Sequence, residues 1–243
     1  MNVPEKVVMR PAWHHLLFLH WEVDAALLKS KLPSGLELDT FENRAYLGLV
    51  PFTMTGVRPR GLPHLPPLRR LHEDFHETNL RTYVRHPKFG PGVWFFSLDA
   101  ASAPAVVVAR HWFKLPYFYA RMNLQIRHTN GQRVLRYASQ RQWPQPTPAH
   151  CEVEAVIAEE TCTATPGTLE HFLVERYLLY SYSRGGLFAG RVQHKPYLLQ
   201  PAQVISLDET ITLAPGFTLS QEPPLAHYAR RVQVNIFGLR KVN

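Results

Sequence analysis

The segments YFYARMNLQIRH (117–128) and QRVLRYASQRQ (132–142) lie on either side of the tripeptide TNG. Alternation of apolar and polar residues around an Asn-Gly turn specifies an antiparallel hairpin. A chain committed to one such hairpin must bury at least one face of the resulting sheet, and most other periodic segments also read as strands. They are HLLFLHWEV (15–23), LELDTF, AYLGLVPFTMTGV, FHETNLRTYVR (75–85), VWFFSLDA (93–100), CEVEAVIAE, YLLYSYS, LFAGRVQH and ARRVQVNIFGL. LELDTF and AYLGLVPFTMTGV, separated by Glu42, Asn43 and Arg44, are predicted to pair as a hairpin, with Asn43 suited to positive φ.

Three short helices interrupt the strands. The spacing predicts one capped by Asp24, one capped by Ser102 with Pro104 in its first turn, and one capped by Thr168. RPRGLPHLPPLRRLHED (58–74) is too rich in proline to be a central strand and reads as a long loop. Runs of strands with few short helices predict an α+β fold, mainly antiparallel β, closed or partly closed into a cone-like β-barrel. Residues 1–243 are expected to form a single domain, since β-rich chains of this length commonly stay undivided.

Composition narrows the function classes. The chain carries a net charge of +8, but its arginines are scattered and accompany no zinc-finger, RNP-type or basic-zipper pattern. A solvated basic surface is therefore favoured over a nucleic-acid site. The start lacks the ordered regions of a signal peptide, and stretches such as PAVVVA are too short to cross a bilayer. Cys151 and Cys162 lack the close spacing of a metal knuckle or redox dithiol. A cytoplasmic protein without membrane contact, metal or cofactor is expected. VWFFSLDA suits a subunit interface as well as a core, which leaves a homo-oligomer open.

Strand periodicity also sorts the candidate site residues. After Pro116, Phe118, Ala120, Met122, Leu124 and Ile126 share one face, and Tyr117, Tyr119, Arg121, Asn123, Gln125 and Arg127 the other. That polar face meets either water or a lumen, and periodicity leaves the choice open. In FHETNLRTYVR the residues Glu77, Asn79, Arg81 and Tyr83 form one row. A carboxylate, an amide, a guanidinium and a phenol in line can orient a small oxygenated ligand, with Arg81 grasping a carboxylate through two parallel hydrogen bonds. The bland alternative is an exposed strand face with a weak Glu77 to Arg81 attraction. Spacing of four between His72 and His76 would suit a metal on a helix, but the two fall on a loop and a strand. Glu175 and Arg176 read as a buried structural pair.

WHHLLFLHWEV, AYLGLVPFTMTGVRPRGLP, FHETNLRTYVR, PGVWFFSLDA, ARHWFKLPYFYARM, LEHFLVERYLLYS and VQHKPYLLQPA together resemble the YqjF-like family of bacterial proteins of unknown function, over nearly the whole chain. That family in turn resembles acetoacetate decarboxylase, whose antiparallel sheet curls into a cone-shaped barrel around a buried site. The decarboxylase forms a Schiff base through a lysine that follows a proline, in a segment of the type G-R-E-x-x-G-x-P-K-K. The resemblance places ARHWFKLPYF at that segment. Arg110 then stands at the arginine, His111 at the glutamate, Pro116 at the proline, and Tyr117 and Phe118 at the two lysines. It also places Glu77 at an acidic pocket residue.

Tyr117 cannot form an imine, and Lys114, on the helix side of Pro116, is expected at a rim or surface. Two readings follow. In the first, the chain is a non-catalytic barrel that binds a small organic acid or ketone through Asn79, Arg81, Tyr83, Arg110 and Arg121. In the second, it is a lysine-independent enzyme performing acid/base chemistry on a carbonyl compound through Glu77 and Tyr117.

Overall fold

A computed structural model of the chain describes residues 6–57, 74–129, 131–144, 148–183, 185–220 and 224–242. The strands are β1 (Val7–Met9), β2 (Ala12–Val23), β3 (Glu37–Leu38), β4 (Ala45–Thr55), β5 (Phe75–His86), β6 (Gly90–Ala100), β7 (Tyr117–Thr129), β8 (Gln132–Trp143), β9 (His150–Ile157), β10 (Cys162–Thr163), β11 (Leu178–Ser183), β12 (Gly186–His194), β13 (Leu198–Glu209), β14 (Leu225–Phe237) and β15 (Arg240–Val242). The helices are α1 (Ala25–Ser30), α2 (Ala103–Trp112) and α3 (Leu169–Val174). None of them is long and apolar enough to cross a membrane.

The three expected caps are in place. The Asp24 carboxylate accepts from the Ala26 and Leu27 amides at 2.6 and 3.0 Å, Ser102 Oγ from the Ala105 amide at 3.4 Å, and Thr168 Oγ1 from the His171 amide at 3.3 Å. Each satisfies backbone donors that have no partner inside their helix.

The fold is α+β with antiparallel pairing dominant, and the sheet closes on itself. Passing β13, β9, β8, β7, β6, β5, β4, β2 and β14 returns to β13, a ring of nine strands. The 117–142 hairpin is the β7–β8 edge of this ring. A second circuit runs through β5, β6, β11, β12, β14, β2 and β4. The two circuits share the wall β14–β2–β4–β5–β6.

Alternation along that wall sends successive side chains into different interiors. Leu17, Leu19, Leu47, Leu49 and Leu80 join one core, completed by Tyr137, Val153 and Tyr228 from other strands of the nine-strand ring. Leu16, Phe18, Val50, Phe52 and Tyr83 join the other, covered by α2 and α3. Burial on both faces explains why HLLFLHW and AYLGLVPF are continuous apolar runs. The joint between β6 and β11 requires a glycine: a Cβ on Gly92 would lie 2.7 Å from the Leu178 carbonyl oxygen.

Two expectations are corrected. LELDTF does not pair with the following strand. Glu42 and Asn43 both take positive φ (48° and 63°) in a turn closed by a Phe41–Arg44 bridge, as a two-residue turn demands, but β3 pairs with β5. The strand β13 was not among the expected strands; it carries Pro201, whose carbonyl accepts from the Ala158 amide at 3.0 Å. The 58–74 loop lies outside the described residues except for Asp74.

Inside the nine-strand ring, Arg141 holds Asp99 through three hydrogen bonds of 2.7 to 3.2 Å, and its guanidinium stacks 3.8 Å from the Phe118 ring centroid. Both partners are buried, and burial pushes the Asp99 carboxyl upward while Arg141 opposes it. Arg141→Met strands that carboxyl, and a loss of about 3 to 5 kcal/mol is expected in urea unfolding.

Candidate functional site

A cavity of about 180 Å³ opens within the second circuit, between the shared wall and α2. Along β5 the residues Glu77, Asn79 and Arg81 line it, and all three are buried. At about 3.3 Å per residue, Glu77 and Arg81 stand roughly 13 Å apart along the strand with Asn79 between them. Strand register brings the phenol of Tyr117 to this row: Asn79 pairs with Leu98 on β6, and Leu98 pairs in turn with Tyr117 on β7. Tyr117 Oη donates to Glu77 Oε2 at 2.9 Å.

The electrostatics of the Glu77–Tyr117 pair follow from burial. Desolvation is the largest influence on Glu77 and pushes its carboxyl up to about 8, with Asp99 adding repulsion and the Tyr117 hydrogen bond opposing. The Tyr117 phenol is held well above its usual value, first by desolvation and then by the neighbouring carboxyl. At neutral pH the pair is therefore a protonated carboxyl beside a protonated phenol.

Arg81 forms the other pole. Its Nη2 donates to the Leu173 carbonyl at 3.1 Å, and the guanidinium lies 5.6 Å from the centroid of Phe18. No ion pair among the described residues involves Arg81, and its buried Nε has no hydrogen-bond partner. Asn79 Oδ1 and Trp13 Nε1 are likewise buried and unpartnered, and both residues line the cavity. His20 and His194 lie within the field of Arg81, and both are held below the usual histidine range, chiefly by desolvation. They remain neutral and supply no countercharge. Buried polar groups left unpaired are costly, so a cation and three orphan atoms around one cavity define a place for a polar ligand group.

Other sequence-predicted residues fall elsewhere. Tyr83 continues the β5 row, but its Oη donates to the Leu173 carbonyl and meets His20 Nε2, each at 2.7 Å, and it does not line the cavity. Arg110 sits outside, where its Nη1 donates to the Tyr117 carbonyl at 2.6 Å and pins the start of β7. Arg121 is exposed: past a bulge at Tyr119/Ala120, the polar face of β7 meets solvent, whereas Tyr117 and Tyr119 pack on the cavity side. Lys114 lies in an outer cleft with Arg110 and His111, its ammonium 5.3 Å from the Phe188 ring centroid. Glu175 and Arg176 do not pair. Glu175 accepts from the Tyr197 amide and the Tyr177 hydroxyl, while Arg176 binds Asp39 at 2.7 Å.

Trp13 and Arg176 are cavity residues that alternation did not reveal. A bulge between His14 and Leu19, with His15 at φ 53°, shifts Trp13 out of phase with the leucines that follow. Among the described residues no three His, Cys, Asp or Glu side chains are grouped to hold a metal ion; His76 bonds Thr53 instead, and His72 lies outside the described residues. The cavity thus brings a buried guanidinium and a protonated carboxyl onto one strand face.

Comparison with known proteins agrees with this architecture. Residues 10–233 match the model of a family described as an uncharacterized conserved protein, DUF2071. The uncharacterized protein YqjF of Bacillus subtilis is 40% identical over 242 residues, covering 99% of this chain and 96% of that one. Acetoacetate decarboxylase of Legionella pneumophila superposes with a TM-score of 0.60 at 13% identity, covering 99% of this chain and 92% of that one. The enduracididine biosynthesis enzyme MppR, complexed with the condensation product of pyruvate and imidazole 4-carboxaldehyde, gives 0.62 at 11%, covering 97% and 89%. The fold is therefore acetoacetate-decarboxylase-like.

Raising a buried carboxyl from 4.5 to about 8 makes the folded state hold a proton that the unfolded chain has released. This stability is fully present below pH 4.5 and is lost as pH rises to about 8, by at most ~5 kcal/mol. Glu77→Gln should abolish that slope and be more stable than the parent protein at pH 8, as read from melting temperature against pH.

Proposed function

We propose that this chain, which belongs to the DUF2071 family of uncharacterized conserved proteins, binds a small organic acid or ketone in the cavity between β5 and α2. The observation that carries this reading is the buried Arg81 guanidinium, which lines the cavity with no carboxylate partner among the described residues. An anionic ligand supplies the missing countercharge and accepts from the free Nε–H. In acetoacetate decarboxylase the corresponding cavity uses a lysine amine. On this reading Tyr117 stands where the resemblance puts that lysine and binding needs no imine, which the lack of a lysine among the described lining residues supports. The two free cysteines, Cys151 buried and Cys162 exposed, support assignment to a reducing cytoplasm.

The state of Glu77 favours a second reading, as an acid/base enzyme. A carboxyl pushed up to about 8 is matched to proton transfer near neutral pH. With Tyr117 donating to one carboxyl oxygen, the proton on the other is available to a ligand carbonyl. Glu77 would then polarise that carbonyl. MppR is a structural neighbour described with a pyruvate condensation product, which supports 2-oxo acids as ligands to try first.

Calorimetric titration with a panel of 2-oxo and 3-oxo acids tests the binding reading. Arg81→Met should weaken the best ligand at least about thirtyfold, the effect of losing a charge-assisted hydrogen bond, while circular dichroism stays unchanged. Retained affinity in that variant would remove the anion site. Borohydride reduction in the presence of the same acids should leave no adduct on any lysine, and a specific adduct on Lys114 would restore the imine route. If product appears with any acid, Glu77→Gln should slow turnover by about 10² or more, and unchanged turnover would leave the protein a binder.

A further inference from the structure

Charged and amide groups are few in the cavity. Among its described lining residues the only such side chains are Glu77, Asn79, Arg81 and Arg176, Arg176 is already paired with Asp39, and the other polar side-chain atoms belong to Trp13, Trp112, Tyr117 and Tyr197. Glu77, Asn79 and Arg81 follow one another along a single face of β5. The rest of the lining is aliphatic or aromatic, with Val50, Phe52 and Met54 from the wall and Ala105, Val108 and Ala109 from α2. Apolar cavities of comparable size, about 150 Å³, stay dry and accept a molecule the size of benzene.

We infer that the natural ligand is an amphipathic oxo acid: a carboxylate and carbonyl along the β5 strip, and a branched aliphatic or aryl group of about four to seven carbons filling the space beneath α2. This rests on the anion site proposed at Arg81 and adds the identity of the remainder. Pyruvate and acetoacetate occupy the strip alone and leave the apolar end empty. An acid with further hydroxyl groups loses their hydration against the aliphatic and aromatic lining. The volume of about 180 Å³ has room for a molecule of this size.

The test is calorimetric titration of the full chain with pyruvate, 2-oxobutanoate, 4-methyl-2-oxopentanoate, phenylpyruvate, acetoacetate and 3-oxohexanoate. Each methylene buried should tighten binding about fourfold, so 4-methyl-2-oxopentanoate should bind at least about tenfold tighter than pyruvate. Ala109→Leu places a larger side chain in the apolar end. It should weaken the branched and aryl acids at least about tenfold and change pyruvate by less than about twofold. Equal or tighter binding of pyruvate and acetoacetate overturns the amphipathic ligand while leaving the anion site standing. A size preference that survives Ala109→Leu also overturns it. If no acid binds the folded protein, or if Arg81→Met leaves all affinities unchanged, the anion site itself fails and the inference falls with it.

Discussion

The structure depends on a sheet wall buried on both faces where β2, β4 and β5 run side by side. Strands β14, β2, β4, β5 and β6 belong to two closed circuits at once, and along Leu16–Trp21, Ala45–Phe52 and Glu77–Val84 successive side chains enter different interiors. A one-residue slip in such a wall exchanges two cores rather than turning one face to water, so register is specified twice. Polar groups survive there on strict terms. Asp99 does so by bonding Arg141, Thr82 by donating to the Tyr46 carbonyl, and Glu77 by keeping its proton beside Tyr117. Arg81 has no ion pair among the described residues, which sets it apart from Arg141 and Arg176, each held by an aspartate.

Much of the fold was legible because it is local. Strand alternation, three helix caps and the turn at Glu42–Asn43 all rest on residues within a few positions of one another. What the sequence left out is non-local. Closure of β2 onto β14 and of β6 onto β11 joins segments remote in the chain, and no periodicity encodes which edges meet. β3 was assigned to the wrong partner for the same reason. β13, not among the expected strands, carries a proline, which normally excludes a segment from a sheet, whereas the ladder here passes Pro201 by way of its carbonyl.

The site was legible where alternation is regular. The β5 row could be read directly, and Glu77, Asn79 and Arg81 face one space. Tyr83 obeys the same period, yet its hydroxyl is claimed by a helix carbonyl and a histidine from another strand, partners that spacing cannot reveal. Bulges defeat the period elsewhere. One at His15 rephases Trp13, and one opposite Leu80–Arg81 lets Phe95 and Leu98 both line the cavity while Phe96 packs on Phe217 in the other core. Arg110 belongs to the segment that resembles the decarboxylase but here acts on backbone, holding β7 where the Tyr117 phenol can reach across β6.

The cavity is bounded on one side by a wall with a packed core directly behind it and on the other by α2, whose outer residues Val107 and Trp112 are 45% and 56% exposed. These boundaries differ in what they tolerate. Enlarging a wall residue presses through one backbone thickness into the leucines of the neighbouring core, and close packing leaves no slack to absorb it. A residue on the inner face of α2 has solvent rather than a second core behind its helix, so its size sets how much of the cavity is left. The wall is in effect a fixed mould and the helix an adjustable stopper. Relatives that handle different ligands on this scaffold should therefore diverge along residues 103–113 while the facing strands stay the same.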